Sequence, residues 1–364
     1  MSKKLKAKKK RYLKKWVLYT IGGVLIVFLL AIFFFFYELT PVSNNKEVKS
    51  VVIEKGSISS IGKTLKEYKL IRNVTVFKLY VKLTGKSNLK ASTYELSENM
   101  GMVKIISILE NGNLYNSNSV KITFKEGINY RRIASLIAKN TDNTEEDVYN
   151  ILYDNAYISE LITKYWFLTD DIKNNKIYYS LEGYLFPDTY YLTKTMSVKE
   201  IFKKMLDETE KKLSDYKTSI ENLDLSINEY FTLASIVELE GASANDRKAV
   251  AGVFYNRIKD GWVLGSDVTT YYGSKIDDFK TKLTSSELND CSNEYNTRCK
   301  TYTGLPVGPI ANPGMDSLLA TLYPENHSYY YFVADCSGKV YLNTNASGHD
   351  ATISKLVSEG NWCA

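Results

Sequence analysis

Twenty-two consecutive uncharged residues, WVLYTIGGVLIVFLLAIFFFFY at 16–37, limit what this chain can fold into more than any other feature. As a helix they extend about 33 Å, which matches a ~30 Å hydrocarbon core. Nine cations precede them (Lys3, Lys4, Lys6, Lys8, Lys9, Lys10, Arg11, Lys14 and Lys15), and few follow closely. That asymmetry predicts a cytoplasmic N-terminus and an extracytoplasmic chain from about residue 40 onward. A cleaved signal peptide is the alternative, but its apolar region is about 7–15 residues long and ends at a small-residue site, whereas ELTPVSNN follows here. We therefore expect an uncleaved single-pass anchor in the cell membrane, with Trp16, Tyr19 and Tyr37 at the two interfaces.

The same nine cations account for the basic balance of the chain. The formal charge is +6, yet without them 38 cations face 41 acids, a net −3. With its positive charge confined to a short tail, the body offers no basic stripe for a polyanion, so nucleic acid is not an expected partner. The four cysteines, Cys291, Cys299, Cys336 and Cys363, all lie in the exported part, where disulfides persist. Three pairings are open. Closeness in sequence favours Cys291 with Cys299 and Cys336 with Cys363, and the alternative is four thiols buried as small hydrophobes. No C-x-x-C occurs and His327 and His349 are the only histidines, so neither a zinc site nor any other metal is expected.

Length allows two or three compact units. Residues 38–50 read as a polar linker. Beyond it, SVVIEKGSISSIGKTLKEYKLI has a β-branched run, Gly56, and Ile58, Ile61 and Leu65 at helical spacing, which predicts strand, turn, helix. VKITFKEGINYRRIASLIAKNT repeats the plan weakly, with Val120, Ile122 and Phe124 alternating before Gly127 and Ile133, Leu136 and Ile137 facing a core. Between them, LKASTYELSENMGMVKIISILENG predicts a strand, a turn and a helix closing on Gly112. Thr144 and Asp147 form a cap signal. From Val198 the pattern turns to longer helices, so the expected fold class is α+β, with boundaries at 51–117, 118–195 and a mainly helical 196–364.

The stretch LASIVELEGASANDRKAVAGVFYNR, 233–257, places two glutamates at the end of an apolar helix. Ser226 and Glu229 make a capping box at its start, and Gly241 suggests a left-handed turn at its end. Positions 233, 236, 237 and 240 share a face. Glu240 thus continues an apolar stripe, where burial and the negative helix end both raise a carboxyl pKa toward what a general acid needs. Glu238 continues the face of Ala234 and Ser235 and has the weaker claim to desolvation. The plainer reading is that both acids sit at a solvated helix end or pair with Arg247 or Lys248.

The segments LKASTYEL, LEGYLFPDTYYL, ASIVELEG, VAGVFYNRI, YNT with GLPVGPIANPG, and YYYFVADCSGKVYLNTNASGH together resemble the endolytic murein transglycosylases of the MltG type, over about residues 50–355. The resemblance implies a LysM-like subdomain (118–195) beside a catalytic domain. It implies a peptidoglycan lyase that needs no cofactor and leaves 1,6-anhydro ends, terminating nascent glycan strands. The second glutamate of the motif, Glu240, is then the catalytic one. Glycan strands, the membrane and peptidoglycan synthases are the implied partners. Glu182, Tyr184, Phe186, Tyr295, Asn296 and Thr297 become candidates for sugar binding, with Glu238 beside them. Asp267 is a loop cap or a second carboxylate, and His349 belongs to the cleft or to local structure. Three departures stand out: Gly241 in place of a small hydroxyl residue, Val268 in place of proline, and a YNT loop two residues longer than usual that holds Cys299. A hydrolytic muramidase and a non-catalytic wall-binding anchor are the competing functions.

Overall fold

The computed structural model describes residues 2–111, 119–241 and 243–363; the turn expected at Gly112 lies outside them. Helix α1 (Ser2–Leu39) carries the apolar run, and its part Tyr19–Leu39, with a mean hydropathy of 2.6, is long and apolar enough to cross a membrane. The helix runs two residues past the expected 37. Arg72 closes its end by donating to the carbonyls of Tyr37 (3.2 Å), Thr40 (3.1 Å), Val42 (3.3 Å) and Pro41. Of these, the Tyr37 carbonyl lies in the last turn of the helix and the other three follow its end. The expected linker at 38–50 is therefore partly ordered, with α1 entering it and a strand leaving it at Val48.

The described chain divides into two compact units. The first comprises residues 1–121 with 191–193 and contains α1, β1 (Val48–Ile53), α2 (Ile58–Glu67), α3 (Val74–Thr84), β2 (Ser92–Ser97) and α4 (Met102–Asn111). β1 and β2 pair antiparallel with Val51 opposite Tyr94, so period-two alternation turns Val51, Ile53, Tyr94 and Leu96 inward. Leu65, Phe77, Ile105 and Leu109 complete this core, against which Phe35 and Leu39 of α1 pack. Gly62 is required by close approach, since a Cβ there would meet Phe77 Cδ1 at 2.9 Å.

The second unit comprises residues 122–190 and 194–364. Strands β3 (Ser119–Thr123) and β4 (Thr189–Thr193) pair with each other and are each divided between the two units, and the second unit continues with α5 (Tyr130–Asn140), α6 (Glu145–Asn150) and α7 (Asn155–Lys164). Then come α8 (Val198–Leu213), α9 (Lys217–Glu221), α10 (Ile227–Glu240), α11 (Ala244–Lys259), α12 (Asp267–Gly273), α13 (Ser285–Leu288) and α14 (Met315–Leu322). An antiparallel hairpin, β5 (Tyr331–Ala334) with β6 (Val340–Asn343), and α15 (Ala346–Ser358) close the chain. Both capping boxes form, at Thr144 with Asp147 and at Ser226 with Glu229. α10 is enclosed along most of its length, and its Leu233, Ile236 and Val237 meet Val250 and Phe254 of α11 and Tyr272 of α12 in one core.

Cys291 is bonded to Cys299, and Cys336 to Cys363. The first ring is short, so removing it with Cys291→Ser/Cys299→Ser should cost about 2–3 kcal/mol through the loop entropy of the unfolded chain. Peptide mapping without reduction checks the pairing, and denaturant unfolding of the double variant checks the magnitude.

Candidate active site

Glu238 and Glu240, at the end of α10, point about 200° apart, because each helical residue turns about 100°. Glu240 keeps partial exposure, and its Oε1 accepts a 2.6 Å hydrogen bond from Ser266 Oγ. Burial raises its pKa above the ordinary glutamate value. The Ser266 hydrogen bond opposes that rise, nearby Asp267 adds to it, and Arg257 and Arg298 oppose it from farther off. At a given pH more of this carboxyl is protonated than of a free glutamate, the state a general acid requires.

Glu238 reverses the expected order of burial. It is 9% exposed. Its Oε1 accepts from Arg247 Nη2 at 2.9 Å, and its Oε2 accepts from the Gly314 N–H (2.9 Å) and Ser317 Oγ (2.8 Å). The sequence offers the pairing with Arg247 but not the burial, because the face of Ala234 and Ser235 is as closed as the apolar one and the other two donors come from 76 and 79 residues away. Glu238 is a neutralised strut between α10, α11 and the start of α14.

Gly241 is also corrected. Its φ of −93° and ψ of 123° are extended, not left-handed. Glycine is needed there for room, since a Cβ would lie 2.4 Å from Arg247 Cγ and 3.0 Å from the Val237 carbonyl. The hydroxyl missing after the acid has a counterpart in Ser266, which reaches Glu240 from the edge of α12.

The side chains of the six motif residues expected to meet sugar are buried and packed or bonded within their own chain. Glu182 is fully buried, and its oxygens accept from the Tyr130 N–H (2.9 and 3.0 Å), Tyr272 Oη (3.0 Å) and Asn312 Nδ2 (3.0 Å). Tyr184 lies against Phe231 with ring centroids 4.7 Å apart, and its hydroxyl accepts from Asn228 Nδ2; Phe186 is buried nearby in sequence under Lys212. Tyr295 packs on Tyr178 (4.7 Å) and Tyr272 (4.8 Å). Asn296 accepts from Thr270 Oγ1 and donates to the carbonyls of Glu287, Leu288 and Asp290. Thr297 bonds Thr269 and the Ser266 N–H. Each is saturated by its own chain, a state that residue type and spacing cannot reveal.

Asp267 remains on the surface and pairs with Arg298. His349 rests against Tyr331 with centroids 5.5 Å apart, and Tyr331 in turn carries the Arg257 guanidinium at 5.4 Å. A cavity of about 100 Å³ opens beside Leu239 and Val268, with Arg131, Arg132, Tyr272 and Phe279 also lining it. Neither this cavity nor a larger hollow of about 810 Å³ around Lys176, Glu229 and Tyr302 has Glu240 or Ser266 in its lining; the smaller one is lined by Leu239 and Val268, the sequence neighbours of Glu240 and Asp267.

Burial pushes the Glu182 carboxyl up to about 7, against the hydrogen bonds it accepts. Between the ordinary value of 4.5 and about 7 the folded protein holds a proton that the unfolded chain has released. Stability therefore falls as pH rises through that window. Glu182→Gln does not titrate and presents one acceptor oxygen where three donors converge. Its thermal midpoint should lie below wild type and lack that slope between about pH 5 and 7; an unchanged slope in calorimetry would exclude Glu182 as its source.

Residues 51–355 match the model of the YceG-like family. The chain is 32% identical over 327 residues to the endolytic murein transglycosylase of Bacillus subtilis strain 168, covering 89% of each protein. It is 30% identical to the endolytic murein transglycosylase of Streptococcus pneumoniae strain D39, covering 88% of this chain and 61% of that one. A crystal structure of a YceG-like protein from Listeria monocytogenes superposes with a TM-score of 0.59 at 34% identity, covering 84% of this chain and 99% of that one. With most of its length matched by the family model and by relatives above 30% identity, the chain belongs to the YceG-like family.

Proposed function

We propose that the protein is a membrane-anchored endolytic lytic transglycosylase that cleaves the β-1,4 bond following N-acetylmuramic acid in peptidoglycan, with Glu240 as its catalytic carboxyl. The observation that carries this is a glutamate at the end of an enclosed helix, with its pKa raised by burial and one oxygen held by Ser266. The relatives named endolytic murein transglycosylase support the substrate class.

The reaction needs one group in two protonation states. Neutral Glu240 gives its proton to the glycosidic oxygen as the bond to C1 breaks through an oxocarbenium-like state. The C6 hydroxyl of the same sugar then bonds to C1, and the Glu240 carboxylate takes the hydroxyl proton. The 1,6-anhydro product forms without water, and the enzyme returns to its starting state. Glycosidases that use water or a covalent intermediate employ a pair of carboxyl groups. Here Asp267 is engaged by Arg298, which favours an electrostatic role for it over that of a second acid.

The remaining assignments belong to the same reading. Tyr19–Leu39 crosses the membrane with the basic tail inside, and two disulfides in the chain beyond it suit an oxidising exterior. Residues 51–117 form an α+β subdomain, 118–195 act as a LysM-like subdomain that holds glycan, and 196–364 carry catalysis. Termination of nascent strands makes peptidoglycan synthases natural partners.

Glu240→Gln keeps size and removes the transferable proton, so it should abolish cleavage of purified glycan strands while leaving the fold intact. Wild-type products should be about 18 Da lighter at their new ends than hydrolytic products, by the water that intramolecular capture excludes. Mass analysis showing reducing ends would establish a hydrolase instead. Activity should fall on the alkaline side as Glu240 loses its proton, with a midpoint above that of a free glutamate. Protease added to wall-stripped cells should digest the region after the span, and full protection would refute the orientation.

A further inference from the structure

Ser266 immediately precedes α12, in the position where a serine ordinarily caps a helix by accepting from the backbone two or three residues on. It makes no such bond. Its Oγ turns away from its own helix and donates to Glu240 Oε1 at 2.6 Å, although it is 3% exposed and the cap it forgoes is a stabilising one.

The rest of the residue is held from several directions. Its N–H donates to Thr297 Oγ1 (3.1 Å), and its carbonyl accepts from Thr269 Oγ1 (2.7 Å). The two threonine hydroxyls bond each other at 2.8 Å, and the neighbouring Gly265 N–H donates to the Thr297 carbonyl at 2.9 Å. Thr297 in turn stands two residues before Cys299, inside the short disulfide ring. A hydroxyl with its backbone clamped in this way presents its proton in a fixed direction.

We propose that Ser266 is the positioning residue of the transglycosylation: its hydrogen bond to Oε1 sets the plane of the Glu240 carboxyl and reserves Oε2 for both proton transfers. This rests on the reading of Glu240 as the catalytic carboxyl. In the neutral acid, Oε1 is the acceptor and the proton sits on Oε2, from which it passes to the glycosidic oxygen. As that proton leaves, negative charge grows on the carboxyl and the Ser266 bond becomes charge-assisted and stronger. It therefore favours the departing state over the ground state, the condition for accelerating the step. Oε2 then accepts the proton of the C6 hydroxyl. The bond favours the carboxylate and so lowers the Glu240 pKa, in the direction already noted.

The test uses the full chain in detergent with purified glycan strands, and compares wild type, Ser266→Ala, Ser266→Thr and Glu240→Gln. Ser266→Ala should lower kcat roughly 10- to 100-fold, the loss expected for a hydrogen bond to a charged group, with KM little changed. The alkaline limb of its kcat/KM profile should move to higher pH, because the carboxylate has lost a donor. Ser266→Thr keeps the hydroxyl and should recover both kcat and the limb. An inactive Glu240→Gln beside a Ser266→Ala with wild-type kcat and an unmoved limb overturns the positioning role alone. So does a loss in Ser266→Ala that comes with a lowered thermal midpoint, an unmoved limb and no recovery in Ser266→Thr, since that pattern is structural. Activity retained by Glu240→Gln overturns the catalytic assignment itself, and the role of Ser266 with it.

Discussion

A buried carboxylate with no counter-ion in direct contact holds the second unit together. Glu182 collects donors from the start of α5, from α12 and from the segment ahead of α14, through Tyr130, Tyr272 and Asn312. Asn312 extends the knot, because its side chain also bonds the Ile128 carbonyl and the Leu185 N–H. The Tyr130 N–H is one of the donors a helix start leaves unmet, so the carboxylate adds to the Asn129 cap as well as bridging segments. Removing it would leave several buried donors unsatisfied, each costing about 1–3 kcal/mol. The elements it joins are those that set the cleft beside α10 and α12.

Two glutamates one residue apart on α10 show how surroundings divide labour between identical side chains. Glu238 is surrounded by donors, Arg247 among them, and serves as a strut. Glu240 receives a single hydroxyl bond from Ser266, within packing that disfavours its charge. Burial raises the Glu240 pKa and so keeps its proton available. Glycine between this helix and the next lets Arg247 come close enough to complete the strut, which leaves Glu240 free of that cation.

Restraint of the YNT loop follows the same logic. Its tyrosine, asparagine and threonine all face inward, and the Cys291–Cys299 ring encloses them. The loop meets Ser266 and Thr269 through Thr297, so the ring is tied to the start of α12. At the other end of the chain, Arg72 binds the carbonyls at and just after the end of α1, so ordered chain follows directly on the apolar helix.

The sequence by itself determined what depends on neighbours in the chain. The apolar run, the capping boxes at Thr144 and Ser226, the strand–turn–helix after Val48 and the enclosed character of α10 were all legible, because each arises from interactions within about four residues. The second glutamate could be singled out from helical spacing and family resemblance together. Tertiary structure decided what depends on partners far apart in sequence. Glu182 meets Asn312 across 130 residues, Glu238 meets Ser317 across 79, and Ser266 meets Glu240 across 26. Tyr184, Tyr295, Asn296 and Thr297 looked like sugar-binding groups because aromatic, amide and hydroxyl side chains suit both a glycan and a polar core. Only the packing that closed over them separated the two, since burial is a property of the assembled chain and not of any residue's own type.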